Sequence, residues 1–235
     1  MKKLFALLFL SGIFSGSLSA EGKHLFILSG QSNMAALKPE ISFTPAVAEA
    51  FGEDNITVVK DAQNGAPIRA WVYNYEYPDK RELKGKNKDY LGSKYNDLIT
   101  AVKTATEGKT YDSVTFIWMQ GERDAKESLS EVYAKSFKAI LDQLKKDLSL
   151  KEINFVLGRI SDFDMTDKSY PHWTKIREIQ MQIAEADPKG AWVDTDEMNG
   201  GGKGTSGGGL HYSGSGYKAL GQRFAEEAIA LINKN

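Results

Sequence analysis

The stretch HLFILSGQSNM, residues 24–34, changes abruptly from apolar to polar at Gly30. The run from His24 to Gly30 is almost continuously apolar, which is typical of a strand that helices cover on both faces. Gly30 permits a sharp turn, and Ser32 follows it directly. The stretch therefore predicts a buried strand whose carboxyl end carries a serine.

The rest of the chain repeats this alternation. Four further apolar runs predict strands: ITVVKDA (56–62), SVTFIWMQG (113–121), INFVLGRIS (153–161) and AWVDTDE (191–197). Amphipathic patterns predict helices over 128–148, 173–187 and 217–232, the first capped by Ser128 or Ser130. Strands that alternate with helices favour a parallel sheet with right-handed crossovers. We expect an α/β protein, a three-layer α/β/α sandwich around a flavodoxin-like five-stranded parallel sheet.

The composition limits the class of protein. The chain has 235 residues, 41% of them hydrophobic and 26% charged, with a formal net charge of −1. These values fit one globular domain, expected over 21–235. A balance so close to neutral gives no indication of nucleic acid as a partner.

The first twenty residues differ from the rest. Lys2 and Lys3 precede an apolar run that starts at Leu4, and small residues follow as far as Ala20. This order predicts a secretory signal peptide over 1–20, since the apolar run is too short for a membrane span. The chain has no cysteine, so it has no lipid-modified cysteine and no disulfide. We expect a periplasmic or secreted protein with no membrane span after removal of the signal.

Residues with chemical potential follow several of the predicted strands. Ser32 follows the first strand, Gly65 the second and His211 the fifth, while Gln120 ends the third. The carboxyl ends of parallel strands meet at one edge of the sheet, where ligands bind. A serine and a histidine there suit nucleophilic catalysis, and a glycine N–H or an amide side chain can hold an oxyanion. Each residue also has a structural explanation, as a helix cap, a turn or a strand-end hydrogen bonder.

Four motifs together resemble the SGNH/GDSL hydrolases, and more narrowly the sialate O-acetylesterase-like group that includes carbohydrate esterase family 6. They are GQSNM (30–34), APIRAW (66–71), WMQGERD (118–124) and LHYSGSGYKALG (210–221). The resemblance spans residues 24–232 and implies an exported esterase that hydrolyses O-acetyl esters of a carbohydrate. It implies Ser32 as nucleophile and His211 as base. The oxyanion hole would then comprise the N–H groups of Ser32 and Gly65 and the side chain of Gln120.

The chain departs from the resembled pattern at the acid. In most of the superfamily an aspartate lies three positions before the histidine, and here that position is Gly208. Glu122, which ends the strand expected beside that of Ser32, is our prediction for the acid, because its carboxylate would reach the His211 ring. Asp194 or Asp196 remains an alternative. A backbone carbonyl in place of the acid would leave a Ser–His dyad.

Other functions stay open at this point. The missing aspartate also fits a catalytically degenerate carbohydrate-binding protein, and a lipase or thioesterase on the same fold is a further alternative. Arg69 and Trp71 either contact a sugar or pack in the core, and Asp124 is expected to brace its loop. The three histidines show no metal-ligand spacing, so no metal or other cofactor is expected. The partner implied is an acetylated carbohydrate, and the sequence leaves open which one.

Overall fold

The computed structural model describes residues 22–79, 90–200 and 209–234, and these contain a five-stranded sheet. Its strands are β1 (His24–Gly30), β2 (Ile56–Ala62), β3 (Ser113–Met119), β4 (Asn154–Gly158) and β5 (Gly190–Val193). Every neighbouring pair is parallel, and the order is β2-β1-β3-β4-β5. This confirms the predicted α/β fold with a flavodoxin-like order. The predicted signal peptide lies outside the described residues.

Helices lie on both faces of the sheet. They are α1 (Ser32–Ala36), α2 (Phe43–Phe51), α3 (Ser93–Ala105), α4 (Glu122–Lys126), α5 (Tyr133–Asp147), α6 (Trp173–Glu185) and α7 (Gly214–Asn233). Helices α2 and α7 pack against each other and the sheet, whereas α5 packs against α6, and α3 joins them through the 3-10 turn Ile68–Trp71. The two groups are the outer layers of the sandwich. In the described ranges, no helix has the length and apolar content that crossing a membrane requires.

The burial of the strands explains their composition. Strands β1 and β4 are buried along their whole length, and β3 is buried after its first residue. Strand β2 lies at the edge and is mostly half-buried. Near-continuous apolar runs are therefore found where helices cover both faces. Trp118 of β3 lies at the centre, where Trp71 packs against it edge-to-face at 5.0 Å.

Three strands end earlier than the sequence predicts. Strand β3 ends at Met119, so Gln120 and Gly121 leave the sheet, β4 ends at Gly158 instead of Ser161, and β5 ends at Val193, before Asp194. Gly121 adopts φ +153° there, a conformation that favours glycine. The residues beyond these strand ends lie at the carboxyl edge of the sheet, where ligands bind in open parallel sheets.

The predicted cap of α5 is wrong. Ser130 begins a 3-10 turn, Ser130–Val132, and α5 begins only at Tyr133 without a side-chain cap. Ser128 adopts φ +58° instead of the extended conformation usual for a cap. Helix α7 does have such a cap, since Ser213 Oγ accepts a hydrogen bond from the Gly216 N–H at 2.9 Å.

The turn after β1 brings the start of α1 against the end of β3. Gly30 adopts φ +146°, and a Cβ on it would lie 2.0 Å from the Met119 carbonyl oxygen. The next residue, Gln31, donates its N–H to the same oxygen at 2.9 Å. Only glycine allows this close approach. Ser32 is thereby placed directly beyond the carboxyl end of the sheet.

Candidate active site

A cleft of about 500 Å³ lies beyond the carboxyl ends of the strands. Its walls come from the β1–α1 turn, the loop after β2, α4, the loop before α6 and the segment before α7. The lining includes Ser32, Asn64, Gly65, Glu122, Tyr170 and His211. Ser32, Gly65 and His211, which follow three different strands, thus lie in one cleft together with Glu122.

Ser32 and His211 are in hydrogen-bond contact. Ser32 Oγ lies 3.0 Å from His211 Nε2. Ser32 is half-buried as the first residue of α1, and His211 is exposed. A neutral imidazole that carries its proton on Nδ1 can accept the hydroxyl proton at Nε2. The pair therefore has the geometry of a nucleophile and its general base.

The segment that carries His211 is held by its backbone. Gly200 N–H donates to the His211 carbonyl at 2.8 Å, and Ser213 N–H donates to the Met198 carbonyl at 3.0 Å. The buried Tyr212 hydroxyl donates to Thr195 Oγ1 at 2.9 Å. These contacts hold the segment against the residues that follow β5. They position the imidazole through the backbone that carries it.

Glu122 makes no hydrogen bond with the His211 ring, whose Nε2 contacts Ser32. Glu122 lines the cleft, is 2% exposed, and accepts a hydrogen bond at Oε1 from Asn33 Nδ2 at 2.8 Å. Its Oε2 has no hydrogen-bond partner within the described ranges. Burial raises the pKa of Glu122 to about 7, and the nearby Asp124 adds to the rise. The catalytic role of Glu122 stays a prediction.

The alternative acids are engaged elsewhere. Asp194 and Asp196 both form ion pairs with Arg159, and Asp196 also pairs with Arg177 at 2.7 Å. No carboxylate of the described residues makes a hydrogen bond with the His211 ring, and the Asp194 and Asp196 side chains face the two arginines. Burial raises the pKa of Asp194, but the Asp196 N–H and Arg159 outweigh this and lower it. The Gly208 position lies outside the described residues.

Gly65 lines the cleft. It adopts φ +66°, and no atom lies within 4 Å of where a Cβ would be. Its N–H and that of Ser32 are the backbone donors predicted for an oxyanion. Ser32 N–H belongs to a first helical turn, which has no acceptor within the helix.

Gln120 lies behind the cleft and does not line it. The side chain is fully buried, and its Nε2 donates to Asp124 Oδ2 at 2.6 Å and to Gln31 Oε1 at 3.2 Å. Asp124 Oδ2 also accepts from the Ile68 N–H at 2.8 Å. Burial raises the pKa of Asp124 to about 6. Gln120 and Asp124 therefore brace the loop that carries Gly65, and donation by Gln120 to an oxyanion stays a prediction.

Arg69 and Trp71 belong to the packing of the protein. Arg69 is 3% exposed, and both of its terminal nitrogens donate hydrogen bonds to the Glu127 carboxylate. Trp71 is fully buried against Trp118. Neither residue lines the cleft.

Helix α6 supports the chain that follows β3 and β4 through a buried glutamine. Gln180 Nε2 donates to the Gln120 carbonyl at 2.7 Å, while its Oε1 accepts from the Ile160 N–H at 2.9 Å. Trp173 is buried and donates to the Ser161 carbonyl at 2.6 Å. The helical spacing of these residues therefore marks core packing combined with a polar brace.

Sequence reasoning missed several residues of the site. Asn64 and Tyr217 line the cleft, and the buried Asn33 donates a hydrogen bond to Glu122, which lines it too. Tyr170 lines it too and is held by its N–H, which donates to Asp164 Oδ2 at 2.7 Å. Asn64 was detectable, because it adjoins Gly65. Tyr170 carries no such signal, since it lies in a loop without periodicity.

The described residues contain no group of three histidine, aspartate or glutamate side chains that could hold a metal ion.

Comparison with known proteins identifies a matching family model over residues 35–230, described as carbohydrate esterase, sialic acid-specific acetylesterase. The matched region contains Gly65, Glu122 and His211, and Ser32 precedes it. No curated protein matches the chain by sequence.

Solved structures of low sequence identity share the fold. A protein from Arabidopsis thaliana is 18% identical with a TM-score of 0.63, over 89% of this chain and 98% of that one. A carbohydrate acetylesterase from Xanthomonas citri is 18% identical with a TM-score of 0.62, over 90% of this chain and 56% of that one. A carbohydrate acetylesterase family member from Sinorhizobium meliloti is 13% identical with a TM-score of 0.56, over 90% and 99%.

Proposed function

The chain belongs to the sialic acid-specific acetylesterase family of carbohydrate esterases, and on that premise we propose that it is a serine esterase that removes O-acetyl groups from a carbohydrate. One observation carries the proposal. Ser32 Oγ lies 3.0 Å from His211 Nε2, in a cleft that also exposes Gly65. A nucleophile, a base and an oxyanion donor are the parts that acyl transfer requires.

The proposed reaction has two halves. Ser32 Oγ attacks the acetyl carbonyl carbon while His211 Nε2 takes the hydroxyl proton, and the N–H groups of Ser32 and Gly65 hold the resulting oxyanion. The carbon–oxygen bond to the sugar then breaks, and His211 returns the proton to the departing sugar oxygen. Water, deprotonated by His211, attacks the acetyl-serine and releases acetate with Ser32 restored.

Gln120 supports this site through the loop that carries Gly65. Its Nε2 is directed at Asp124 and Gln31, so direct donation to the oxyanion would require the carboxamide to turn over. We propose that its main contribution is to keep the Gly65 N–H in place. The Gly65 loop is further fixed by the Ile68 N–H, which donates to Asp124.

Glu122 is our proposed acidic group, acting without a direct hydrogen bond to the ring. Its carboxylate lines the same cleft as His211, and a negative charge there stabilises the imidazolium that forms during the reaction. Glu122→Gln keeps the acceptor for Asn33 but removes the charge. We expect kcat to fall by about 10-fold or more with KM nearly unchanged, a smaller loss than the roughly 10⁴-fold that follows removal of a directly bonded acid.

The defining experiment measures acetate release from p-nitrophenyl acetate and from acetylated sugars, including an acetylated sialic acid and acetylated xylan. The wild type should release acetate, and Ser32→Ala should abolish release. Ser93→Ala, on α3 and outside the cleft, is the matched control and should retain full activity. Equal rates for the wild type and Ser32→Ala would refute the serine esterase.

A catalytically degenerate carbohydrate-binding protein is the second candidate, because no carboxylate of the described residues makes a hydrogen bond with the His211 ring. It predicts that an acetylated glycan binds without turnover. It also predicts that His211→Ala leaves glycan affinity unchanged, with no acetate released by either protein. Calorimetric titration beside the acetate assay separates the two functions.

We propose, further, that the protein is exported, on the strength of the residue order at 1–20. Amino-terminal sequencing of the protein recovered from an expressing bacterium tests this. A mature chain that starts at Glu21 would support export, and an intact Met1 on active protein in the cytoplasm would contradict it.

A further inference from the structure

Asn33, the residue after the proposed nucleophile, uses every hydrogen-bonding group of its side chain. It is 1% exposed. Its Nδ2 donates to Glu122 Oε1 at 2.8 Å and to the Leu210 carbonyl at 3.3 Å. Its Oδ1 accepts from the Tyr217 hydroxyl at 3.1 Å. A carboxamide has two N–H donors, and here each has its own acceptor.

These three bonds connect segments that are remote in sequence. Leu210 is 177 positions from Asn33 and immediately precedes His211, while Tyr217 belongs to α7. Asn33 in turn belongs to the short helix that begins with Ser32. The side chain thus joins the backbone beside the base to the backbone beside the nucleophile.

We propose that Asn33 is a positioning residue that sets the distance between Ser32 Oγ and His211 Nε2, by holding the Leu210 carbonyl. The inference rests on the proposed function. It explains how the imidazole can be oriented when no described carboxylate bonds to its ring. Asn33 acts on the backbone, where an acid would act on the imidazole.

The chemistry of Asn33 separates this role from simple filling of space. Asn33→Asp keeps the size of the side chain and the acceptor for Tyr217. It replaces both N–H donors with an oxygen that faces two acceptors, Glu122 Oε1 and the Leu210 carbonyl. Asn33→Ala removes all three bonds. A residue that only fills space would leave the backbone at Leu210 unchanged in both variants, whereas a residue that holds the Leu210 carbonyl would loosen that backbone in both.

The first measurement is kinetic. For Asn33→Asp and Asn33→Ala with p-nitrophenyl acetate, we expect kcat to fall by about 10- to 100-fold, because a misplaced catalytic group costs that much, while KM changes by less than about 2-fold. Tyr217→Phe, which removes only the hydroxyl that supports Asn33 Oδ1, should give a smaller loss in the same direction. It serves as the second variant if substitutions at Asn33 impair folding. Wild-type kcat in Asn33→Asp would overturn the proposal.

The second measurement does not depend on activity. Amide hydrogen exchange in peptides that cover residues 209–213 should be faster in Asn33→Asp than in the wild type, with exchange in β4 unchanged. If the wild type releases no acetate but Asn33→Asp still exchanges faster at 209–213, the esterase proposal fails and the Asn33–Leu210 link stands. Unchanged exchange at 209–213 would overturn the link itself, whatever the esterase assay shows.

Discussion

At the scale of single residues, the geometry at position 30 requires glycine. The turn that presents Ser32 depends on a close approach of Gly30 to the Met119 carbonyl, where a Cβ would lie at 2.0 Å. Such a contact cannot be relieved by a side-chain rotation, because the opposing atom is backbone.

Gly30→Ala should therefore destabilise the protein by about 3 kcal/mol or more, from overpacking together with the positive φ. Gly108→Ala is the matched control, since Gly108 has φ +69° but no atom within 4 Å of a Cβ, and it should cost only about 1–2 kcal/mol. Urea unfolding of the two variants tests this. Similar losses in both would show that the contact with Met119 is unimportant.

The residue scale also shows where sequence reasoning ends. Ser32, Gly65 and His211 were predicted because each follows a strand and each has a chemical role by its type. Asn33 was not, because its partners lie 89, 177 and 184 positions away and only the folded chain brings them together. The acid could not be placed from the sequence either, because burial and local pairing decide where a carboxylate points.

At the scale of elements, one lysine caps the carboxyl end of α1. Lys60 of β2 donates its ammonium to the carbonyls of Met34, Ala35 and Leu37, at 3.4, 3.0 and 2.6 Å. Carbonyls at a helix end have no intrahelical partner, and a cation there is favourable. Lys60 therefore caps the helix that begins with Ser32.

Lys60→Met should cost about 1–3 kcal/mol of unfolding free energy, because the half-buried carbonyls lose a charged donor. Lys103→Met on α3, where the lysine is exposed, should change stability by less than about 0.5 kcal/mol. Thermal unfolding of both variants checks this. A loss from Lys60→Met no larger than that of Lys103→Met would contradict the capping role.

Apolar runs predicted the existence of all five strands, and the bounds of β1 and β2 agree with the prediction. The ends of β3, β4 and β5 come earlier than predicted, because a strand ends where its hydrogen-bonded pairing ends, while apolar residues such as Ile160 after β4 continue beyond that point. The cap of α5 was missed for a related reason, because a 3-10 turn intervenes where the sequence offers a suitable serine.

At the scale of the whole molecule, the alternation of strands and helices was enough to predict the sheet and the edge at which the site lies. Right-handed crossovers leave few arrangements for five parallel strands. The path of the chain around the cleft was beyond prediction, because the loops that carry Asn64 and Tyr170 are fixed by individual polar contacts.

The buried carboxyls make the stability of the whole protein depend on pH. Burial raises the pKa of Glu122 from 4.5 to about 7, so the folded protein binds this proton more tightly than the unfolded chain does. The resulting stabilisation is complete below about pH 4.5 and is lost as the pH rises through about 7. Asp124, whose pKa is raised to about 6, contributes in the same direction.

Glu122→Gln should weaken this dependence, because glutamine has no proton to lose. From pH 5 to pH 8, the free energy of unfolding of the wild type should fall by an amount on the order of 2–3 kcal/mol more than that of the variant. Urea unfolding at the two pH values measures the difference. An identical pH dependence in both proteins would show that Glu122 is not the buried titrating group.

In the proposed mechanism, Ser32 carries the acetyl group during the reaction. Acid quenching of the enzyme during turnover of an acetyl ester, followed by peptide mass spectrometry, detects this acetyl-serine. We predict one acetyl group on the peptide that contains Ser32, absent from Ser32→Ala. Acetate release at the wild-type rate by Ser32→Ala, with no acetylated Ser32 peptide in the wild type, would contradict the account.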